Sequence, residues 1–269
     1  MNTFILLRPS HWVKNILVFV PLFFGGAMHD GQKATAAFVA YVAFCLVASG
    51  GYAWNDMFDQ KENASHNRKK IRPVAANTIS PLRAGIVGFA ATTAGLTVAM
   101  AFVPTATLII GIYTVLNALY SFRIKRVPIL ELIFFPAFYL SRIFAGGAAV
   151  RIVPSNWLIL CVIFISLFII IIKRNASANE RVYPEKFLNL MTAIFGSAAL
   201  ISYGLYSILV AQSPYAVYSI VFPIGGIMRY LMLTEKEKEV EYPEKIFVRD
   251  PFIVSCVVLW AVFMYALLY

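Results

Sequence analysis

Residues 55–73 read Asn55-Asp56-Met57-Phe58-Asp59-Gln60-Lys61-Glu62-Asn63-Ala64-Ser65-His66-Asn67-Arg68-Lys69-Lys70-Ile71-Arg72-Pro73. Carboxylates come first and cations follow. Asp56, Asp59 and Asn63 are three and four residues apart, so a helix would carry them on one face. Two carboxylates and an amide oxygen at that spacing suit a hard cation such as Mg2+, which binds through few protein oxygens and keeps waters or phosphate groups as its other ligands. The cations behind them could hold further phosphate oxygens. Taken alone, the segment also fits a solvated charged loop between two helices, and the rest of the chain has to decide.

The surroundings of this segment are apolar. Of 269 residues 60% are hydrophobic and 13% charged, with a mean hydropathy of +0.75, values that few soluble domains reach. Uncharged runs cover Ala34–Tyr52, Ala84–Phe122, Ile152–Ile172, Phe187–Met228 and Pro251–Tyr269. The 42 residues of Phe187–Met228 are enough for two crossings, since one helix needs about 20. The chain therefore reads as an all-α polytopic membrane protein and a single domain over 1–269. Nine spans are expected, near 13–28, 34–53, 83–103, 105–122, 128–149, 153–172, 187–210, 214–233 and 251–268. Pro104 and Gln212-Ser213-Pro214 serve as tight turns between spans. The run after Lys14 leads directly into further spans and lacks a convincing cleavage site, so no cleavable signal is expected.

A net charge of +10 could point to nucleic acid, but its distribution excludes that reading. With the N-terminus and the even-numbered loops on one side, 20 of the 23 Lys and Arg residues fall on that side. Lys33 and Arg151 lie opposite, and Arg142 is inside the fifth span. Of the 13 acidic residues only Asp30 is on the far side. The positive-inside rule makes the charged face cytoplasmic and leaves the C-terminus outside, in a plasma (inner) membrane. Cys45, Cys161 and Cys256 lie in apolar runs and read as core residues. The three histidines, His11, His29 and His66, offer no catalytic triad and no metal-binding pair.

The remaining polar clusters stand at the ends of spans. Trp12 reads as an interfacial anchor, with Lys14 and Asn15 reaching toward a headgroup-level hollow. Tyr120-Ser121-Phe122-Arg123-Ile124-Lys125-Arg126 precedes Glu131, a carboxylate one turn into an apolar helix. Such a charge is costly unless paired, bound to a metal or wet. Arg142 follows 11 residues later, about three turns deeper on the same face. Lys173-Arg174 ends the sixth span. Glu235–Glu244 mixes signs and reads as a solvated loop. Carboxylates, cations and a divalent ion together fit diphosphate chemistry.

An Asn-Asp-x-x-Asp stretch after the second of nine spans resembles the UbiA-type membrane prenyltransferase superfamily. The finer pattern resembles its decaprenyl-phosphate phosphoribosyltransferase branch: Arg8-Pro9, Trp12-Val13-Lys14-Asn15, Asn55-Asp56…Asp59, His66…Lys69-Lys70-Ile71-Arg72-Pro73, Tyr120…Lys125…Val127-Pro128-Ile129-Leu130, Arg142…Ala145-Gly146-Gly147, Lys173-Arg174, Arg229-Tyr230 and Pro243-Glu244…Asp250. Two positions depart from it. Asn63 stands where a last carboxylate is expected, which weakens metal binding or shifts it to Glu62. Glu131 replaces an Asp.

The resemblance implies a helical bundle with a cytoplasmic-side cavity and Mg2+-dependent transfer of 5-phosphoribose from phosphoribosyl diphosphate to a polyprenyl phosphate. It implies Asp56, Asp59 and Glu131 as catalytic carboxylates, and Asp56, Asp59 and Asn63 as metal ligands. Lys14, Asn15, Asn55, Lys69, Lys70, Arg72, Tyr120, Lys125, Arg142, Lys173 and Arg174 are its substrate-binding candidates. The rival expectation within the superfamily is transfer of an isoprenyl chain to an aromatic acceptor. A lipid-phosphate transporter or membrane scaffold is the non-enzymatic one. The number of Lys and Arg residues favours two phosphorylated substrates.

Overall fold

The computed structural model describes residues 2–65, 69–176, 182–211, 213–236, 246 and 249–269. Every regular element among them is helical. In chain order these are α1 (Asn2–Leu7), a 3-10 segment (Pro9–Phe19), α2 (Val20–Phe24), α3 (Gly31–Phe58), α4 (Gln60–Ser65), α5 (Pro81–Phe102), α6 (Pro104–Phe122), α7 (Leu130–Val150), α8 (Asn156–Ala176), α9 (Glu185–Leu209), α10 (Val221–Lys236) and α11 (Pro251–Leu268). Short 3-10 turns cover Lys69–Ile71, Ile124–Arg126 and Pro214–Ile220. Among the described residues eight helices are long and apolar enough to cross a membrane. His66, Arg68, Gln212, Pro243 and Glu244 lie outside the described residues.

The helix starts follow local rules. Asp30 caps α3, accepting from the Gln32 and Lys33 amides at 3.0 and 3.1 Å. Ser80 and Asp250 cap α5 and α11, each followed by proline at the first helical position, where the missing N–H costs nothing. Val103-Pro104 makes the expected tight connection between α5 and α6.

The first expected span, 13–28, takes a different form. It is not one α-helix but the 11-residue 3-10 segment followed by the five residues of α2. A 3-10 helix rises about 2.0 Å per residue, so the two together still extend about 30 Å, near the thickness of a bilayer core. The eighth span likewise opens with 3-10 winding over Pro214–Ile220.

The chain packs as two compact units, Met1–Pro154 and Ser155–Tyr269. In the first, α3 is central. It buries Ala40, Ala43, Phe44, Val47 and Ala48 against Ala99 of α5, Ala106, Ile110 and Tyr113 of α6, Ala145 of α7 and Val18 of the 3-10 segment. With 28 residues α3 runs about 42 Å, longer than a hydrocarbon core of about 30 Å, and Asn55 and Asp56 lie in its C-terminal turns. Small residues permit the close packing. A side chain on Gly146 of α7 would strike the Val18 carbonyl of the 3-10 segment at 1.9 Å.

In the second unit α8 packs on α9, where Gly196 admits the Phe168 ring. Phe168 and Ile172 of α8, Tyr230 of α10 and Ile253 of α11 join Ile246 in one apolar cluster. Tyr203 Oη lies between Ser219 Oγ at 2.5 Å and the Trp260 indole N–H at 2.6 Å, tying α9 to the 3-10 turn and α11.

Gly146→Leu should displace the N-terminal segment and lower stability by about 1–3 kcal/mol, the usual cost of overpacking. A drop in melting temperature of the purified protein checks this. Gly111→Leu is the control, because a side chain there meets nothing within 4 Å.

Candidate active site

The polar face of α3 decides the geometry. Cys45, Ser49, Tyr52 and Asp56 are spaced four, three and four apart, and Asp59 and Asn63 continue the strip into α4. The backbone bonds Asp59 N–Asn55 O (3.0 Å) and Asn63 N–Asp59 O (2.7 Å) carry the helical register across the junction.

The 3-10 segment runs antiparallel along this strip and meets it rung by rung. Arg8 donates to Asp56 Oδ1 at 2.5 Å and lies over the Tyr52 ring at 5.2 Å. His11 meets the same ring edge-on at 5.1 Å. The Trp12 indole donates to Ser49 Oγ at 3.0 Å, and Ser49 donates to the Leu7 carbonyl at 2.8 Å. Asn15 Nδ2 donates to Cys45 Sγ at 3.2 Å. Seven residues of 3-10 helix cover about 14 Å and eleven of α-helix about 16 Å, so the two ladders stay in step. Trp12 is thus a half-buried rung of this ladder.

Asp56, 1% exposed, receives a second guanidinium from Arg72 at 3.3 Å. Arg72 also donates to Asn63 Oδ1 at 3.3 Å. Both Asp59 carboxylate oxygens accept from Lys125 Nζ, which reaches Asn55 Oδ1 at 3.4 Å as well. Three cations therefore close on two carboxylates, from sequence positions 8, 72 and 125. Asp56 Oδ2 is buried and accepts no hydrogen bond among the described residues. Asn63 is buried on the strip and Glu62 is exposed.

The loop that delivers Lys125 is strained. Ile129 has φ 64°, and Leu130 N donates to the Pro128 carbonyl at 2.7 Å, a γ-turn that β-branched residues rarely adopt. Such turns persist where surrounding structure enforces them. The turn starts α7 so that Glu131 falls in its first turn, buried, where the helix dipole favours a carboxylate.

Arg142 forms a deeper node. It is 4% exposed. It donates to Asn15 Oδ1 at 2.7 Å, to the Phe138 carbonyl and to Tyr113 Oη at 3.4 Å. The Phe44, Tyr113 and Tyr139 rings surround it at 5.0, 5.1 and 6.0 Å. Its partners among the described residues are neutral, so the charge is held by dipoles and π-faces.

The structure therefore brings Asn55, Asp56, Asp59, Asn63, Arg72 and Lys125 together, and joins Asn15 to Arg142. Tyr120 packs on Phe138 at 5.2 Å. Lys14 and Lys69 are half-buried and Lys70 exposed. Lys173 and Arg174 end α8 in the second unit. Arg8 is the residue that sequence reasoning left outside the site.

The same chain is recognised by comparison with known proteins. The UbiA prenyltransferase family pattern matches residues 18–186. The chain belongs to the UbiA prenyltransferase family. It is 31% identical to the decaprenyl-phosphate phosphoribosyltransferase of Mycobacterium tuberculosis, over 91% of this chain and 86% of that protein. It is 30% identical to the Corynebacterium glutamicum protein of the same name, over 83% and 74%. A UbiA homologue from Archaeoglobus fulgidus, solved with GPP and Mg2+, superposes with a TM-score of 0.78 at 16% identity, covering 100% of this chain and 99% of that one. A digeranylgeranylglyceryl phosphate synthase structure gives 0.70 at 19%, covering 98% and 97%. The protein is a multi-pass membrane protein of a transferase family with the UbiA fold.

In the second unit Arg229 holds the Asp250 carboxylate with both Nε and Nη2, the shortest contact being 2.9 Å. The Arg229 hydrogen bond keeps the Asp250 carboxyl below the ordinary carboxylate range, and the Ile253 amide adds to it. A depressed folded-state value means that the pair's stabilisation is complete above the unfolded pKa of about 3.9 and is lost as pH falls through the lower folded value. Asp250→Asn should therefore melt below the parent at pH 7, with the gap narrowing only under about pH 4. Melting curves across pH 3–8 check this, and a gap that stays constant would contradict it.

Proposed function

We propose that this protein transfers 5-phosphoribose from phosphoribosyl diphosphate to a polyprenyl phosphate and releases diphosphate. The observation that carries the reading is identity of about 30% to decaprenyl-phosphate phosphoribosyltransferases along most of the chain. The excess of cations over carboxylates around Asp56 and Asp59 supports it, because both substrates bring phosphate.

The residues present fit a divalent ion. Asp56 Oδ2 is a buried oxygen with a lone pair to offer, Asp59 adds a second carboxylate, and Asn63 an amide oxygen. Among the described residues no three His, Cys, Asp or Glu side chains cluster. That sparse set matches Mg2+, which relies on substrate phosphates for its other ligands. Mg2+, when bound, would neutralise the diphosphate as it leaves.

The chain's own groups supply the rest. Arg72, Lys125, Lys69 and Lys70 hold donor phosphates, with Asn55 fixing the Lys125 ammonium. Glu131 provides a third carboxylate in the turn after Lys125. Arg142 and Asn15, with Lys14 and Tyr120, serve the lipid phosphate. A lipid phosphate oxygen attacks C1 of the ribose as the C1–O bond to diphosphate breaks, and both electrons of that bond leave with the diphosphate. Alignment and electrostatics provide most of the acceleration. The chain acts as one catalytic domain with the site in a cytoplasmic-side cavity, the N-terminus cytoplasmic and the C-terminus outside, a reading that the Lys and Arg bias supports.

Purified protein given labelled phosphoribosyl diphosphate, polyprenyl phosphate and Mg2+ should make a lipid-soluble labelled product, abolished by EDTA. Asp56→Ala and Asp59→Ala should each lower turnover by about 10²–10³-fold. Full turnover in both variants would overturn the metal assignment. Wild-type turnover of an isoprenyl diphosphate onto an aromatic acceptor instead would overturn the donor.

A further inference from the structure

Arg8 combines four features that a simple surface ion pair does not need. Its guanidinium lies 2.5 Å from a carboxylate that is 1% exposed, yet the Arg8 side chain itself is 17% exposed. It rests on the Tyr52 ring rather than in a closed pocket. Its backbone is left-handed, φ 49° and ψ 61°, directly before Pro9. That conformation is unfavourable for a non-glycine residue, and more so ahead of proline. The same Asp56 oxygen already has Arg72 at 3.3 Å, while Oδ2 stays unpartnered. Asp56 is thus over-supplied with cation on one oxygen and open on the other.

We propose that Arg8 is a diphosphate-binding residue held in reserve on Asp56. With the site free of ligand, Arg8 neutralises the carboxylate. When a divalent ion arrives with its diphosphate, the ion takes the carboxylate and the guanidinium transfers to a phosphate oxygen. Tyr52 supplies a face along which the guanidinium pivots without leaving the site. A bidentate donor on a short tether suits this exchange, because guanidinium matches carboxylate and phosphate oxygens equally.

The consequence is coupling. A divalent ion alone would have to enter beside Arg8, Arg72 and Lys125, three like charges, and so binds weakly. The ion with a diphosphate brings the anion that those cations can turn to, and so binds well. By linkage the donor gains the same factor from the metal. This inference rests on the proposed metal and donor reading of Asp56 and Asp59.

The test uses the full chain in detergent and Mn2+ as a paramagnetic probe, with no phosphate compound present. Free Mn2+ is read by electron paramagnetic resonance. Arg8→Gln should tighten Mn2+ binding by about tenfold while weakening labelled phosphoribosyl diphosphate binding by a similar factor. Arg8→Lys, which keeps the charge, should leave Mn2+ binding weak and recover part of the donor affinity. A purely structural ion pair would also free Asp56 for Mn2+ but predicts that Arg8→Gln leaves the affinity for inorganic diphosphate, measured with Mn2+ present, unchanged, and that result would overturn the proposal. Should Arg8→Gln fail to fold, wild-type protein decides. Mn2+ alone should leave its melting temperature nearly unchanged, whereas strong stabilisation by Mn2+ alone would overturn the proposal. The Mn2+ readings do not involve phosphoribosyl diphosphate, so they hold if the donor proves to be an isoprenyl diphosphate. Failure of the exchange is thereby separate from failure of the assigned substrate.

Discussion

A carboxylate stripped of water must be met by cations or by a metal, and Asp56 has almost no access to solvent. That requirement pulls three distant segments onto one helix end. The N-terminal segment sends Arg8, the loop after α4 sends Arg72, and the loop before α7 sends Lys125 to the neighbouring Asp59. Each cation is itself mostly buried, and Lys125 is the cation on Asp59, so its removal would break a buried pair in the costly way. The length of α3 makes the arrangement possible.

The second determinant is the 3-10 winding of Pro9–Phe19. It stretches a short segment into a ladder of polar rungs about 14 Å long facing Cys45, Ser49, Tyr52 and Asp56. The deepest rung, Asn15, passes the contact on to Arg142 of α7. Gly146 lets the segment approach that closely. The polar strip therefore connects the ion-paired end of α3 with a guanidinium set among aromatic rings. A phosphate at one end and a lipid phosphate at the other would share a single line of positioning groups.

Much of this could be read from residues alone. The uncharged runs marked the long helices, and the spacing of Asp56, Asp59 and Asn63 put them on one face, as observed. Arg72 and Lys125 were expected as substrate-binding residues from the resemblance, and the structure sets them directly on the Asp56 and Asp59 carboxylates. Arg8 was missed as a direct partner, since a cation before an apolar run is explained by flanking charge. The 3-10 winding was missed because Pro9 followed by apolar residues reads equally as a short α-helix. Trp12, Asn15 and Val18 recur every third residue, and that period was the available signal. The γ-turn at Ile129 left no trace, because positive φ is imposed there by its surroundings on a residue that disfavours it.

The central claim is that Asp56 and Asp59 form the seat of the donor's metal. Anomalous diffraction from crystals grown with Mn2+ and a non-reactive diphosphate analogue tests it most directly. The account predicts an anomalous peak beside the Asp56 and Asp59 carboxylates, with the diphosphate against Arg72 and Lys125. A peak elsewhere, with both carboxylates still paired to their arginines and lysine, would contradict it.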